Sequence, residues 1–282
     1  MASIGTIKRG GSRFYVDRDD ATRDPLPGVT SIVDMLNKPF LQFWAAKLTA
    51  ELAIDSLDYI GAMAERDRQG AVDYLKGASR RYTKQRADVG SSAHDIFERL
   101  ARGEHVGRVH PDVAPHAAHF REFLEKVNPE LVRAEDVAWS NTHQYAGSFD
   151  AIMNVWFREE HGRLVPTPDR SGDPHTLMVD YKTSKSAYPT VALQMAAYAH
   201  SDYLVDANGD RHPHPEYDGG AVLHITESGW QMIPVDIGSR VFAHFLSLRD
   251  AFEWDRQTSR KVLGKPIASG GALVTGTERR AN

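Results

Sequence analysis

Asp180 and Lys182 stand two apart in the run Leu177-Met-Val-Asp-Tyr-Lys-Thr183, whose alternation reads as a strand. Leu177, Val179 and Tyr181 fall on one face and Met178, Asp180 and Lys182 on the other, because side chains two apart on a strand project the same way. A carboxylate and an amine fixed side by side on a rigid strand can bind a metal ion and handle a proton. Pro189 follows where a helix can start, since its missing N–H would go unpaired there in any case. Gln194 and Tyr198, four apart, then share one helical face. Most Asp-x-Lys pairs are solvated surface charge, so the meaning of this one depends on what the chain sets beside it.

Two further segments carry suitable groups. In Gly90-Ser-Ser-Ala-His-Asp-Ile-Phe-Glu98, Ser91 or Ser92 is expected to cap a helix that turns Ala93, Phe97, Leu100 and Ala101 inward and ends at Gly103. His94 and Glu98 are neighbours on it, roughly 5–6 Å apart at Cβ, at the edge of the apolar stripe where a half-buried site would draw its polar groups. Read alone, they are an incidental surface pair. Gly147-Ser-Phe-Asp150 lies inside an apolar strand. Carboxylates rarely go inside unless paired or bound to metal, so Asp150 is either an edge-strand charge or a site residue. Upstream, Arg80, Arg81, Lys84 and Arg86 crowd into seven residues with no acid between them. They form either a solvated helix face or a phosphate contact.

Composition narrows the chemistry. With 282 residues, 41% hydrophobic and 26% charged, the chain can bury a sizeable core. A net charge of -4 gives no global pull on nucleic acid, so such binding needs a local basic patch. The absence of cysteine excludes disulfides, thiolate zinc sites, cysteine-ligated iron–sulfur clusters and a cysteine nucleophile. It also suits a cytoplasmic address. No run approaches the roughly 18 apolar residues of a membrane span, and the N-terminus lacks an apolar signal core, so no membrane partner is expected.

The elements that must position these groups follow from periodicity. Residues 4–17 read as a hairpin around Gly10-Gly11, and Thr30 or Ser31 as the cap of a short helix. Phe40, Phe43, Trp44, Leu48 and Leu52 recur at helical spacing, which predicts a long amphipathic helix with its aromatics most simply in the core, the alternative being a base-stacking role. Residues 59–75 read as helical, and Phe120, Phe123, Leu124 and Val127 mark another helix. Residues 131–140 and 145–156 predict two strands of a hairpin, 158–174 and 206–220 loops, 221–226 and 230–235 a closing hairpin, and 240–254 a final helix. The chain divides into an N-terminal hairpin and helical extension (1–85), a core (86–264) and a flexible tail (265–282).

In this order the elements and motifs resemble the PD-(D/E)XK nuclease superfamily, and within it the RecB-like branch that includes CRISPR-associated and phage-encoded exonucleases. His94 stands at that branch's helix histidine, with Glu98 one turn on. Asp150 stands at its Gly-x-x-Asp position, Asp180-Tyr-Lys182 at its Asp-x-Lys motif, and Gln194-Met-Ala-Ala-Tyr198 at its Gln-x-x-x-Tyr motif. Gly28-Val-Thr-Ser-Ile32 and Trp44-Ala-Ala-Lys47 are similar to segments of phage members, and the likeness spans residues 27–226. Phe149 replaces the proline of the family name, and the cysteines that hold an iron–sulfur cluster in many relatives are missing.

The resemblance implies an α/β fold: a restriction-endonuclease-like core, with a central mixed β-sheet flanked by helices, and a helical N-terminal extension. It implies a Mg²⁺- or Mn²⁺-dependent deoxyribonuclease, an exonuclease serving DNA processing or recombination of a phage, in the host cytoplasm. His94, Asp150, Asp180 and the Tyr181 carbonyl would bind the ion, with Lys182 positioning water or stabilising developing negative charge. Glu98 would bind a second ion or orient His94. Gln194 and Tyr198 would steady the site or hold the DNA backbone, and Arg80, Arg81, Lys84 and Arg86 would contact flanking phosphates. DNA, single- or double-stranded, is the implied partner. No Gly-x-x-x-x-Gly-Lys-Ser/Thr loop occurs, so an ATP-driven step would need a helicase or recombination partner. The competing readings are an endonuclease of the same superfamily, a non-catalytic nucleic-acid binder on this fold, and a zinc hydrolase drawing on His105, His110, His116, His119, His212 and His214.

Overall fold

The computed structural model describes residues 3–268, 270 and 271. In chain order the elements are β1 (Ile4–Arg9), β2 (Ser12–Asp17), β3 (Leu26–Pro27), α1 (Val29–Val33), α2 (Phe40–Asp55), α3 (Leu57–Arg66), α4 (Arg68–Lys76), α5 (Ala78–Ala101), α6 (Ala114–Val127), β4 (Glu130–Ala134), β5 (Val137–Ser140), β6 (Tyr145–Ser148), β7 (Ala151–Val155), β8 (Phe157–Glu160), β9 (Arg163–Pro166), β10 (His175–Lys182), α7 (Thr190–Ala199), β11 (Tyr203–Val205), β12 (Arg211–His212), β13 (Gly219–Thr226), β14 (Gly229–Val235) and α8 (Ser239–Arg256).

A five-stranded mixed sheet in the order β14-β13-β10-β7-β4 is the centre of the α/β fold. Strand β10 pairs parallel with β13 and antiparallel with β7. Alternation along β10 sorts the two cores as the sequence predicts. Val179 and Tyr181 pack with Phe97, Phe120 and Phe123 of α5 and α6. Met178 faces the opposite way, with Met195 and Tyr198 of α7 and Phe245 and Phe252 of α8. Helices thus cover both faces, and a helical segment, α2–α4 with the first half of α5, precedes the sheet.

The expected hairpin of 131–140 with 145–156 forms, but it is folded over. Glu135 adopts a left-handed backbone conformation (φ 59°), a costly one for a residue other than glycine. The 131–140 strand is therefore two. Strand β4 pairs with β7 in the large sheet, while β5 pairs with β6 in a second sheet of order β12-β11-β5-β6. The Glu135 N–H to the Asp150 carbonyl and the Phe149 N–H to the Asp136 carbonyl, both 3.2 Å, clamp the bend. Asp150 sits at this corner, in the middle of the fold and not on an edge.

Other expectations need correction. Ser91 and Ser92 cap nothing: α5 starts at Ala78 and runs unbroken through Gly90. A glycine inside a helix costs only about 1 kcal/mol, and the Arg- and Ala-containing stretch before it sustains the helix. Helix α1 starts at Val29 behind Gly28, so Thr30 and Ser31 lie inside it, and Ser31 Oγ accepts from the Arg13 N–H instead. The expected helix at 59–75 is two, broken at Asp67, whose side chain accepts from the Gly70 N–H. The 158–174 loop contains the β8–β9 hairpin. Helix α2 forms where expected, but none of its residues is buried and Phe43 is 77% exposed, so its aromatics are not core. Of the expected tail, residues 265–268, 270 and 271 carry no helix or strand, and the rest lies outside the described residues. Among the described residues no helix is long and apolar enough to cross a membrane.

This contrast has a measurable consequence. Phe245 is fully buried with its ring edge-on to Tyr145, and Phe245→Ala should cost about 3–5 kcal/mol. Phe43→Ala, on the surface, should change stability by less than about 0.5 kcal/mol. Urea unfolding of both variants measures the difference; a large loss at Phe43 would put α2 in the core after all.

Candidate functional site

The β7–β10 ladder ends at the pair Val179–Ala151. Two residues further along β10, the Tyr181 N–H is taken by Asp150 Oδ2 at 2.6 Å, so a side chain replaces the missing main-chain acceptor. The other oxygen, Oδ1, lies 3.3 Å from His94 Nδ1 of α5. Asp180 projects from β10 to the α7 side, where its Oδ2 lies 2.5 Å from Lys182 Nζ and its Oδ1 accepts from Gln194 Nε2 at 3.2 Å. Gln194 also donates to the Tyr198 hydroxyl at 3.1 Å. Helix α5, strand β10, helix α7 and the β6–β7 corner therefore bring His94, Asp150, Asp180, Lys182, Gln194 and Tyr198 together at one end of the sheet.

The glycine of Gly147-Ser-Phe-Asp150 is sterically required. A Cβ on Gly147 would stand 2.6 Å from the Tyr198 ring and 3.1 Å from Val29. Tyr198 is 2% exposed, which corrects the expectation that it reaches DNA. Its hydroxyl holds Gln194, and Gln194 in turn holds Asp180. The Tyr181 ring is likewise buried, edge-on to Phe97 and Phe120 and beside the His94 ring. Only the Tyr181 backbone belongs to the site.

Electrostatics divide the two carboxylates. Burial raises the Asp180 carboxyl, and the charge of Asp150 raises it further, to about 6 against the opposing pull of Lys182 and His94. Burial also works against the Asp150 anion. The hydrogen bond and charge of His94, with Lys182 and the Tyr181 N–H, nevertheless hold Asp150 below the ordinary carboxylate range. His94 is pulled down by burial, but its hydrogen bond to Asp150 and that residue's charge leave it raised. One carboxylate is thus held low and its neighbour raised to about 6, an arrangement suited to binding a cation and exchanging a proton.

Of the remaining expected residues, Glu98, Arg81, Lys84 and Arg86 are held by partners outside this group. Glu98 turns to Arg102, 2.8 Å away, and Arg102 also donates to the Ala134 carbonyl. Arg80, Arg81, Lys84 and Arg86 are exposed along α5. Arg86 precedes His94 by eight residues, about 12 Å of helix. Arg81 lies over the Tyr74 ring, Arg86 over the Tyr82 ring, and Lys84 pairs with Asp88.

Glu135 escaped the sequence reading. Its carboxyl is pushed up to about 7, by burial first and then by the charges of Asp150 and Glu98. The residue keeps an exposed surface, yet the protein around its carboxyl is dense. Its one sequence signal is the acidic pair Glu135-Asp136 interrupting an otherwise apolar strand pattern.

The donor chemistry of Asp150, Asp180 and His94 fits a hard divalent cation. Their donor atoms, however, face one another and Lys182. Among the described residues no three His, Asp or Glu side chains are gathered as an ion would gather them. The His94–Asp150 contact, 3.3 Å, is long for a charge-assisted hydrogen bond.

A pH test follows from the Asp180 shift. Because folding raises this carboxyl above its usual 3.8, its contribution to stability is complete below that value and is lost as pH rises through about 6. Asp180→Asn removes the loss. The stability of Asp180→Asn relative to the native chain should therefore grow by about 1–3 kcal/mol between pH 4 and pH 7. Urea midpoints at both ends of the range measure it, and a pH-independent difference would place Asp180 in water.

No protein-family model matches the chain, and a search of curated proteins finds no match to it either.

Proposed function

We propose that the chain is a divalent-metal-dependent nuclease that hydrolyses phosphodiester bonds in DNA, with Asp180 and Lys182 as its catalytic pair. The observation that supports this most is the convergence of an imidazole, two carboxylates and an ammonium, drawn from distant segments, at one sheet end. A structural ion pair needs only two of these groups. Buried charges beyond a pair are costly to keep, and such crowding with split carboxylate pKa values is typical of catalytic sites.

Asp150, Asp180 and His94 would hold Mg²⁺ or Mn²⁺, with the Tyr181 carbonyl as a further ligand. When bound, the ion supplies a Lewis acid and a water of lowered pKa. Asp150 is positioned for this by the Tyr181 N–H, which fixes one of its oxygens. Lys182 stands beside Asp180, where it can orient a nucleophilic water or stabilise charge developing on a phosphate oxygen. Gln194, anchored by Tyr198, keeps the Asp180 carboxylate turned toward Lys182. Glu98, held by Arg102, stays at the rim, from which it lends negative charge to the Glu135 corner. Arg80, Arg81, Lys84 and Arg86 would meet phosphates away from the cut, a contact blind to sequence. The resemblance to RecB-like phage exonucleases favours attack at DNA ends.

End-labelled linear and circular DNA, with Mg²⁺ or Mn²⁺ and with EDTA, tests this reading. Asp180→Ala and Lys182→Ala should each lower cleavage at least about 10²-fold with the fold kept by circular dichroism. Wild-type rates in either variant, or EDTA-resistant cutting, would remove the assignment. Arg81→Ala with Arg86→Ala should lower the dependence of binding on log salt by about two. An unchanged slope would return the basic cluster to solvent.

A further inference from the structure

Helix α2 departs from the rule that orders the rest of the chain. Its sixteen residues are mostly apolar, yet none is buried. Phe43 is 77% exposed and Phe40 53% exposed. The Phe40 ring stacks on Tyr188, 6.4 Å between centroids and 16° from parallel, and Tyr188 is itself half exposed. Trp44 meets Tyr82 of α5 edge-on at 5.6 Å, and the Arg86 guanidinium lies 5.6 Å above the Tyr82 ring. Flat aromatic faces therefore alternate with cations over one surface.

The charge on this surface is available to a ligand. Arg81 and Arg86 rest on tyrosine rings, and neither has a carboxylate partner among the described residues. Lys38, Lys47 and Lys84 do have acids one turn away, Asp34, Glu51 and Asp88. Exposed pairs of that kind are worth little and exchange readily for phosphate. A second copy of the chain would be a poorer occupant, because a two-fold interface sets the same patch against itself and would oppose Arg81 and Arg86 with like charge.

The surface also leads into the site. Tyr188 lies on the short connection from Lys182 to α7. Helix α5 carries Tyr82 and, twelve residues or about 18 Å further on, His94. A Cβ on Gly90 would lie 3.4 Å from Thr183 Oγ1, so α5 passes close to the chain just after Lys182. A polymer lying on Tyr82 and Phe40 would thus run beside elements that lead to His94 and Lys182.

We propose that α2, the first half of α5 and the 183–189 connection form a stacking platform for single-stranded DNA, which makes the unpaired strand the substrate class of the site. This rests on the nuclease reading for its chemistry but not for its binding. Bases of a single strand offer free faces to aromatic rings, and each such stack contributes roughly 5- to 150-fold in affinity. A duplex keeps its faces covered and could use only the cations.

Fluorescence anisotropy of a labelled oligothymidylate and of a blunt duplex of equal length, on the full chain in EDTA, tests the platform. The single strand should bind at least about tenfold more tightly, and Phe43→Ala and Tyr188→Ala should each weaken it by about five- to a hundredfold while duplex binding stays unchanged. Phe43 is too exposed for its loss to threaten folding. Equal affinity for the two DNAs, or single-strand affinity unmoved in both variants, overturns the proposal. So does a Phe43→Ala chain that changes from dimer to monomer with unaltered DNA affinity, which would assign the surface to a second copy. Failure of the two readings looks different. Tight, platform-dependent binding with no cleavage in Mg²⁺ or Mn²⁺ removes the nuclease and keeps the platform. Metal-dependent cleavage with platform variants unaffected does the reverse.

Discussion

Two carboxylates held side by side out of water are the constraint from which the rest of the site follows. Asp180 is buried and Asp150 keeps only 16% of its side chain exposed, so each must find most of its compensation inside the protein. Asp150 takes an imidazole and a backbone N–H; Asp180 takes an ammonium and a side-chain amide. These partners come from α5, β10 and α7, so both layers of helices are committed to one end of the sheet. The incomplete compensation of Asp180 leaves it as the member of the pair whose carboxyl is raised, to about 6.

Backbone geometry makes this crowding attainable. If β4–β5 and β6–β7 were one straight ribbon, Asp150 would sit in a regular ladder with its backbone paired and its side chain confined to one face. The corner at Glu135 and Phe149 instead ends the ladder early and frees the carboxylate to cap the next strand. Gly147 matters for the same reason. Its bare Cα lets the Tyr198 ring close on the ribbon, which brings Gln194 within reach of Asp180.

Much of this was readable from residue types and spacing. Alternation in 177–182 placed Asp180 and Lys182 on one face, and the four-residue spacings in α5 and α7 placed His94 with Glu98 and Gln194 with Tyr198. The misreadings share a cause: local patterns do not report what a segment packs against. Phe40, Phe43 and Trp44 repeat at helical spacing as core residues do, but α5 meets only the edge of this row, at Trp44, and leaves Phe40 and Phe43 exposed. Ser91 and Ser92 are good capping residues, yet a helix already under way passes through them. The strand expected over 131–140 has acceptable β-propensity throughout, and its break at Glu135 depends on a second sheet that the segment cannot announce. Glu135 was missed with that break, because an acid at a corner looks like any surface acid until its neighbours are known.

The folded ribbon also limits which parts of the chain can change length. The β8–β9 hairpin is a side branch, and residues can be gained or lost at its tip without disturbing either sheet. The 141–144 turn is different, because its span fixes the register of β5 with β6 and, through the corner, of β4 with β7. Since strand side chains alternate faces, a one-residue register shift from an insertion there would turn residue 150 away from His94. Natural variants of this architecture should therefore tolerate indels freely around 161–162 and hardly at all in the tight turn between β5 and β6.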